Sequence, residues 1–339
     1  MSSIGVGIIG AGGIAHAHAK AYRNNDNARL VGFADVNPEA AERAAGEFGA
    51  ESMSVENLLR DPRIQAVSIC TPPVSHASLA IEALAAGKHI LIEKPVCTTM
   101  DDVRRIVQAE ARSNGLKVMV AHSHRYWPKN QRAKEIIASG EIGEIVMVRD
   151  EIISSSHFEP GNLPWRFKKA IAGGGVAMDN GIHAVDRLRY WLERRATSVD
   201  ARMWRIVEGA DVEDAVVASV YFDGASGDGA DDGPDPAAHV YLNRAAAKVS
   251  GRCVAEFLGT EGSLVVETWG ELRWCRQGEE WRIEPAQAGP NAFDLEVEAF
   301  LASVIHDKPS PVTVEDAAES LRIVLAMYES AERGARVYL

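Results

Sequence analysis

The chain lacks any apolar run long enough to cross a bilayer, for which a helix needs about 20 consecutive apolar residues. Its opening, "MSSIGVGIIG", has no basic segment and moves straight into a strand pattern, so it does not read as a secretory signal. Cysteine is scarce. Cys70, Cys97, Cys253 and Cys275 form neither a CxxC nor a metal-ligand spacing. They read as four reduced thiols of a cytoplasmic protein, not as a disulfide framework. Basic residues are outnumbered, 36 against 48 acidic ones, for a formal net charge of −12. That balance argues against nucleic acid or an anionic membrane as partner, while leaving room for a local anion site. No internal repeat is visible.

What is present is 339 residues of ordinary globular composition, a length that suggests about two domains. The first third alternates short β-rich runs with helical patterns. "IGVGIIG" (4–10) leads into a helix through Tyr22, and "RLVGFAD" (29–35) into one near 38–48. "AVSIC" (66–70), "HILIE" (89–93) and "KVMVA" (117–121) continue the series, with helices near 75–86 and 100–114. Apolar runs separated by helices predict parallel strands buried on both faces, a doubly wound α/β domain over 1–122. After residue 122 the rhythm changes. Strand patterns follow one another at 144–153, 198–207, 213–222, 238–246, 252–258 and 262–267, with one helix at about 176–193. They predict a second, α+β domain over 123–339 with a mostly antiparallel sheet. "DGASGDGADDGPDPAA" (223–238) reads as a solvated hairpin tip rather than an acidic metal site. A final amphipathic helix is expected at about 313–333, packing back on the first domain.

Four stretches carry chemistry. "GIIGAGGIAHAHA" gives Gly10, Gly12 and Ala15 the G-x-G-x-x-A spacing. The first glycine permits the tight turn, the second lets backbone approach a pyrophosphate, and the alanine permits close helix–strand contact. With Gly13 and Ile14 these residues form the candidate phosphate loop, at a helix N-terminus that favours anions. Asp35 ends the next strand near the offset of about 20 residues expected for an acid on a ribose hydroxyl, so NAD is expected in preference to NADP. His16 and His18, just inside that helix, read as surface or packing residues.

"CTPPVSHASLA" places Thr71 and Pro72 after a parallel strand, at the carboxyl end where ligands bind. His76 begins the following helix, either touching cofactor or substrate or packing the helix end. "HILIEKPVCTTM" brings Glu93 and Lys94 to the same end of the sheet, and Pro95 holds Lys94 extended. Lys94 either pairs with Glu93 or aims a cation at a substrate oxygen. In "GGGVAMDNGIHAVDRLRYW", Asp179 and His183 lie four apart and share a helix face, an acid/base pair in type. Asp186 offers a metal reading, but one histidine with two acids is a thin ligand set, and no metal is expected.

Together Gly10–Ala15, the Glu93-Lys94-Pro95 triplet and the glycine-led Asp179-x-x-x-His183 helix resemble the Gfo/Idh/MocA oxidoreductases. The resemblance covers nearly the whole chain, including "LPWRFKKAIAGGG" and the closing "VTVEDAAESLRIVLAMYESAERGARVYL". It implies a Rossmann domain followed by an open-faced sheet domain that binds substrate and mediates oligomers, here a homodimer or homotetramer. It implies that Lys94, Asp179 and His183 match the family's catalytic lysine, aspartate and histidine. Arg125, Tyr126, Trp165 and Arg166 fall where members line the nicotinamide or substrate pocket. The acidic 223–238 insert departs from simpler members.

The activity implied is hydride transfer between nicotinamide and a secondary hydroxyl or carbonyl of a sugar, cyclitol or related polyol. Lys94 polarises the oxygen, His183 exchanges its proton and Asp179 orients the imidazole. The family also holds NAD-dependent glycosidases that use transient oxidation, reductases of dihydrodiols or tetrapyrroles, and non-catalytic dinucleotide-binding regulators. A regulator needs no acid/base set, and this chain keeps one.

Overall fold

The computed structural model describes residues 3–154, 162–224, 236–245, 251–285 and 290–339. The chain divides into two compact units, Met1–Tyr126 with Pro290–Glu319, and Trp127–Gly289 with Ser320–Leu339. A single cut after residue 122 therefore leaves out of the first unit a stretch, 290–319, that belongs to it.

The first unit runs β1 (Ile4–Ile9), α1 (Gly13–Arg23), β2 (Ala28–Ala34), α2 (Pro38–Phe48), β3 (Glu51–Ser52), α3 (Val55–Arg60), β4 (Ala66–Ile69), α4 (His76–Ala85), β5 (His89–Glu93), α5 (Met100–Ala111) and β6 (Val118–Ala121). The six strands are parallel, in the order β3-β2-β1-β4-β5-β6. Ile8, Ile69, Leu91 and Val120 are wholly buried, because helices cover both faces of a doubly wound sheet. The strand order reverses between β1 and β4, and a crevice opens beyond the carboxyl ends at such a switch point. Asn37, Ser54 and Thr99 cap α2, α3 and α5 by accepting backbone N–H bonds, whereas α1 starts at Gly12 with no side-chain cap.

The second unit contains α6 (Pro128–Ala138), β7 (Ile145–Ile153), the single turn α7 (Lys169–Ala172), a π-helical turn at Ala177–Gly181 that runs into α8 (Ile182–Leu192), β8 (Ala196–Trp204), β9 (Ala215–Phe222), β10 (Ala237–Asn243), β11 (Arg252–Gly259), β12 (Gly262–Glu267), β13 (Leu272–Arg276) and β14 (Arg282–Glu284). The chain then returns to the first unit as α9 (Ala292–Ile305), which packs on α1. The last helix, α10 (Val314–Arg333), begins in the first unit and ends in the second, and β15 (Val337–Tyr338) closes the chain. The second sheet has the order β14-β13-β12-β11-β7-β10-β9-β8-β15. Its pairs are antiparallel except β7 with β10. Burial alternates along β7 and β10, the pattern of a sheet with one covered and one open face.

The sequence reading passed over β3, α3, α6, α7, α9, β13, β14 and β15. In α9, Val297, Phe300 and Leu301 are buried along with Glu296, so its pattern shows little contrast between faces. A two-residue strand such as β15 exists only through its pairing with β8. The expected hairpin tip at 223–238 falls largely on 225–235, outside the described residues. No helix among the described residues is long and apolar enough to cross a membrane.

Candidate functional site

The exit of β1 is built by close approach. Gly10 has φ +99°, and a Cβ there would lie 2.5 Å from the Cys70 carbonyl oxygen, so only glycine fits this turn. A Cβ on Gly12 or Gly13 would meet nothing within 4 Å. Those two positions thus border open space, beside an α1 N-terminus that lacks both a side-chain cap and a first-turn acid. Free N–H groups, a helix dipole and room for a ligand fit the pyrophosphate of a dinucleotide. Ile14 follows in the first turn of α1. Asp35 stands at the end of β2, with Oδ2 accepting the Ala11 N–H at 2.7 Å and Oδ1 the Asn37 N–H at 2.8 Å. Each oxygen keeps lone-pair capacity for a hydroxyl. His16 is partly exposed, with Nδ1 2.9 Å from the Gly12 carbonyl oxygen.

Thr71 and Pro72 leave β4, and Glu93 and Lys94 leave β5, at this same end of the sheet. Glu93 is buried. Its Oε1 lies 3.0 Å from His18 Nε2, and its Oε2 accepts the Lys94 backbone N–H at 3.1 Å. Burial by itself would lower the His18 pKa, but the Cys70 sulfur and the Glu93 carboxylate outweigh it and hold the ring well above its ordinary value. Burial also raises the Cys70 pKa. Burial acts to raise Glu93 in turn, yet His18 holds it below the usual carboxylate value. The result is a buried imidazole–carboxylate pair under the Lys94 backbone, backed by Ser68 3.2 Å from His18 Nδ1 and by Tyr22 on Ser68 at 2.8 Å.

His18 is buried rather than at the surface, and packs with the Glu93 carboxylate as its partner. His76 takes the packing place of its two readings. It is fully buried, with its ring nitrogens 2.9 Å from the Pro95 and 2.8 Å from the Thr71 carbonyl oxygen, and burial lowers its pKa. It ties the loop after β4 to the loop after β5. The Lys94–Pro95 peptide is cis, and Lys94 is half-buried. Arg125 and Tyr126 follow β6, where Arg125 pairs with Asp316 at 2.7 Å.

In the second unit, Asp179 lies within the π turn and His183 in the first turn of α8. Single π turns recur at functional sites because they widen the helix locally. The glycines before this turn fit against Glu213 and Tyr328. A Cβ on Gly175 would lie 1.8 Å from the Glu213 carbonyl oxygen, and one on Gly174 2.2 Å from the Tyr328 hydroxyl. The Glu213 carboxylate accepts the N–H groups of Gly175 (3.0 Å) and Ala177 (2.8 Å) and the Tyr328 O–H (2.8 Å). Burial raises its pKa, against those bonds.

Arg244, just past β10, donates from Nη2 to Asp179 Oδ2. Nothing in the local sequence marks Glu213, Tyr328 or Arg244 as neighbours of this turn. Asp186 is fully buried and accepts from Ser320 at 3.2 Å. Trp165 and Arg166 are exposed on a separate short turn, the guanidinium 5.6 Å from the indole centroid. The structure therefore gathers the loop glycines, Asp35, Thr71, Pro72 and Lys94 at one end of the first sheet. It places Asp179 and His183 on one helical run of the second unit.

Residues 4–122 match the model of the oxidoreductase family with an NAD-binding Rossmann fold. Residues 130–265 match a GFO/IDH/MocA C-terminal domain, and 251–339 the oxidoreductase family's C-terminal alpha/beta domain. The chain is 32% identical over 300 residues to a levoglucosan dehydrogenase of Pseudarthrobacter phenanthrenivorans, covering 78% of this chain and 74% of that one. It is 34% identical over 223 residues to an inositol 2-dehydrogenase of Rhizobium meliloti, covering 65% of each. Among solved structures, a levoglucosan dehydrogenase in complex with NADH and L-sorbose superposes with a TM-score of 0.88 at 27% identity, covering 100% of this chain and 99% of the other.

Proposed function

Because the chain belongs to the Gfo/Idh/MocA oxidoreductase family, we propose that it is an NAD-dependent dehydrogenase of a sugar, cyclitol or related polyol, acting at a secondary hydroxyl or its carbonyl. The full-length likeness to a levoglucosan dehydrogenase bound to NADH and L-sorbose carries this reading. Gly10, Gly12, Gly13 and Ile14 hold the pyrophosphate and Asp35 the ribose. Thr71 and Pro72 flank the cofactor, as do Arg125, Trp165 and Arg166, with Tyr126 on the substrate. Glu93 and His76 act from behind, by fixing the loop that carries Lys94. A bound nicotinamide supplies the hydride step. Lys94 brings the cation that polarises the reacting oxygen. His183 takes or returns that oxygen's proton, and Asp179 orients the ring. The reading extends to a cytoplasmic homo-oligomer, a dimer or tetramer built through the open face of the second sheet.

The test is a panel of polyols, aldoses and their oxidised forms, levoglucosan and inositol included, with either nicotinamide cofactor, read by absorbance of the reduced ring. Turnover on at least one is expected. Lys94→Ala should lower it at least about a hundredfold while NADH binding persists. Hydrolysis of chromogenic glycosides with no net cofactor reduction, and no dehydrogenation of any polyol, would overturn the proposal.

A further inference from the structure

Two buried arginines of the second unit invite comparison. Arg187, on α8, is fully enclosed, and each of its three nitrogens donates. Nε and Nη2 donate to Asp150, and Nη1 donates to Cys253 Sγ at 2.8 Å and reaches Thr268 Oγ1 at 3.4 Å. That is how an arginine is satisfied when its work is to hold a core together. Arg244 differs. Its side chain is 5% exposed, yet among the described residues Nη1 has no hydrogen-bond partner, while Nη2 donates to Asp179 Oδ2. Its carbon Cζ lies 5.5 Å from the Phe167 ring centroid. Leaving a buried guanidinium N–H unmatched is unfavourable, so packing alone does not account for the residue.

The backbone brings Arg244 to Asp179 by construction. The Arg244 N–H donates to the Asp214 carbonyl at 2.9 Å, which fixes the chain just past β10. Gly181, at the end of the π turn, lies so near β10 that a Cβ there would stand 2.9 Å from Leu242 Cδ1. The strand end and the π turn are therefore held together, and the guanidinium spans them.

We propose that Arg244 is a positioning residue of the reaction: its guanidinium fixes the direction of the Asp179 carboxylate, and through it the orientation of His183. This rests on the acid/base roles given above to Asp179 and His183. A charge-assisted bond from a nearly immobile donor sets the carboxylate plane far more firmly than water does, and misplacement of a catalytic group by about 1 Å can cost on the order of a hundredfold in rate.

Arg244→Ala, Arg244→Lys, Asp179→Asn and the Ala/Asn double variant decide it, on the best substrate of the panel. Arg244→Ala should lower kcat about a hundredfold, with KM and the NADH dissociation constant changed by less than about threefold. Arg244→Lys should recover part of the loss. Millimolar guanidinium, far below denaturing concentration, should restore turnover to Arg244→Ala but not to Asp179→Asn. The double variant should be no slower than Asp179→Asn alone, since residues acting as a unit are not additive.

Near-normal kcat in Arg244→Ala beside an inactive Asp179→Asn overturns the Arg244 assignment and leaves the acid/base reading standing. Full turnover in Asp179→Asn overturns both. Losses that multiply in the double variant, or no recovery with guanidinium, overturn the positioning role. If the alanine variant does not fold, Arg244→Lys decides: an unchanged kcat in the folded lysine variant rejects a positioning role specific to the guanidinium, and a lowered kcat at unchanged KM supports it.

Discussion

Asp35 ends β2 with each carboxylate oxygen already accepting a backbone N–H, from Ala11 and from Asn37. The group is therefore held in one place rather than free to swing away from a bound ribose. The Asn37 side chain is engaged in capping α2, and Arg43 lies in the exposed pair with Glu39. Among the described residues, no cation pairs with Asp35 to receive a 2′-phosphate. Two like charges about 4 Å apart repel by roughly 1 kcal/mol in water and roughly 4 at an effective dielectric near 20, and the middle of that range amounts to tens-fold discrimination. Fluorescence titration should show NAD binding more tightly than NADP, and Asp35→Ser should narrow the gap. Equal or tighter NADP binding by the parent protein would refute this.

Glu110 on α5 behaves in the opposite sense to Glu93. Burial, with a smaller push from Glu315, raises its pKa from 4.5 to about 7, although its Oε1 accepts the Val118 N–H. Between those pH values the folded chain keeps a proton that the unfolded chain releases, so stability falls as pH rises through the window. The group is half-buried, and solvent screening leaves an effect on the order of 1 kcal/mol. Glu110→Gln should match the parent in urea midpoint near pH 5 and exceed it near pH 8. Identical midpoints at both pH values would count against the assignment.

At the scale of elements, the turn that carries Asp179 depends on a group remote in sequence. Glu213 caps the N–H groups of Gly175 and Ala177 and is steadied by Tyr328. Glu213→Ala leaves two buried N–H groups unmatched, for a loss of about 2–4 kcal/mol. Turnover should fall with stability, because the π turn loses its anchor, whereas Glu213→Gln keeps an acceptor and should be milder. Denaturation and kcat measured on the same preparations check this. A destabilised variant with parental kcat would show that the cap supports the fold and not the site. The pair under Lys94 has the same design. His18 comes from α1 and Glu93 from β5, and neither helix nor strand alone holds the lysine loop in place.

For the molecule as a whole, the open face of the second sheet is the feature to explain. Met147 on β7 pairs directly with Leu258 on β11, and both are exposed, as is Val217 on β9. Exposed apolar side chains on an open sheet face, here beside the Arg149–Glu256 ion pair, suit an interaction surface. Assembly through it is the expectation, so sedimentation should give a dimer or tetramer, and Leu258→Asp should shift the mass toward the monomer. A monomeric parent would refute it.

The sequence by itself determined the class of each sheet, because strand and helix periods are local and the parallel strands read as unbroken apolar runs. It also determined the turn at Gly10 and the family, since G-x-G-x-x-A, Glu93-Lys94-Pro95 and Asp179-x-x-x-His183 each span only a few residues. Tertiary structure alone decided what surrounds those residues. His18 meets Glu93 across 75 positions, Gly175 meets Glu213 across 38, and Asp179 meets Arg244 across 65. It also decided that helix 176–193 opens with a π turn and that 290–319 joins the first unit. Pairings over such distances are set by strand register and by which helix covers which face, and no local pattern in a single chain records either.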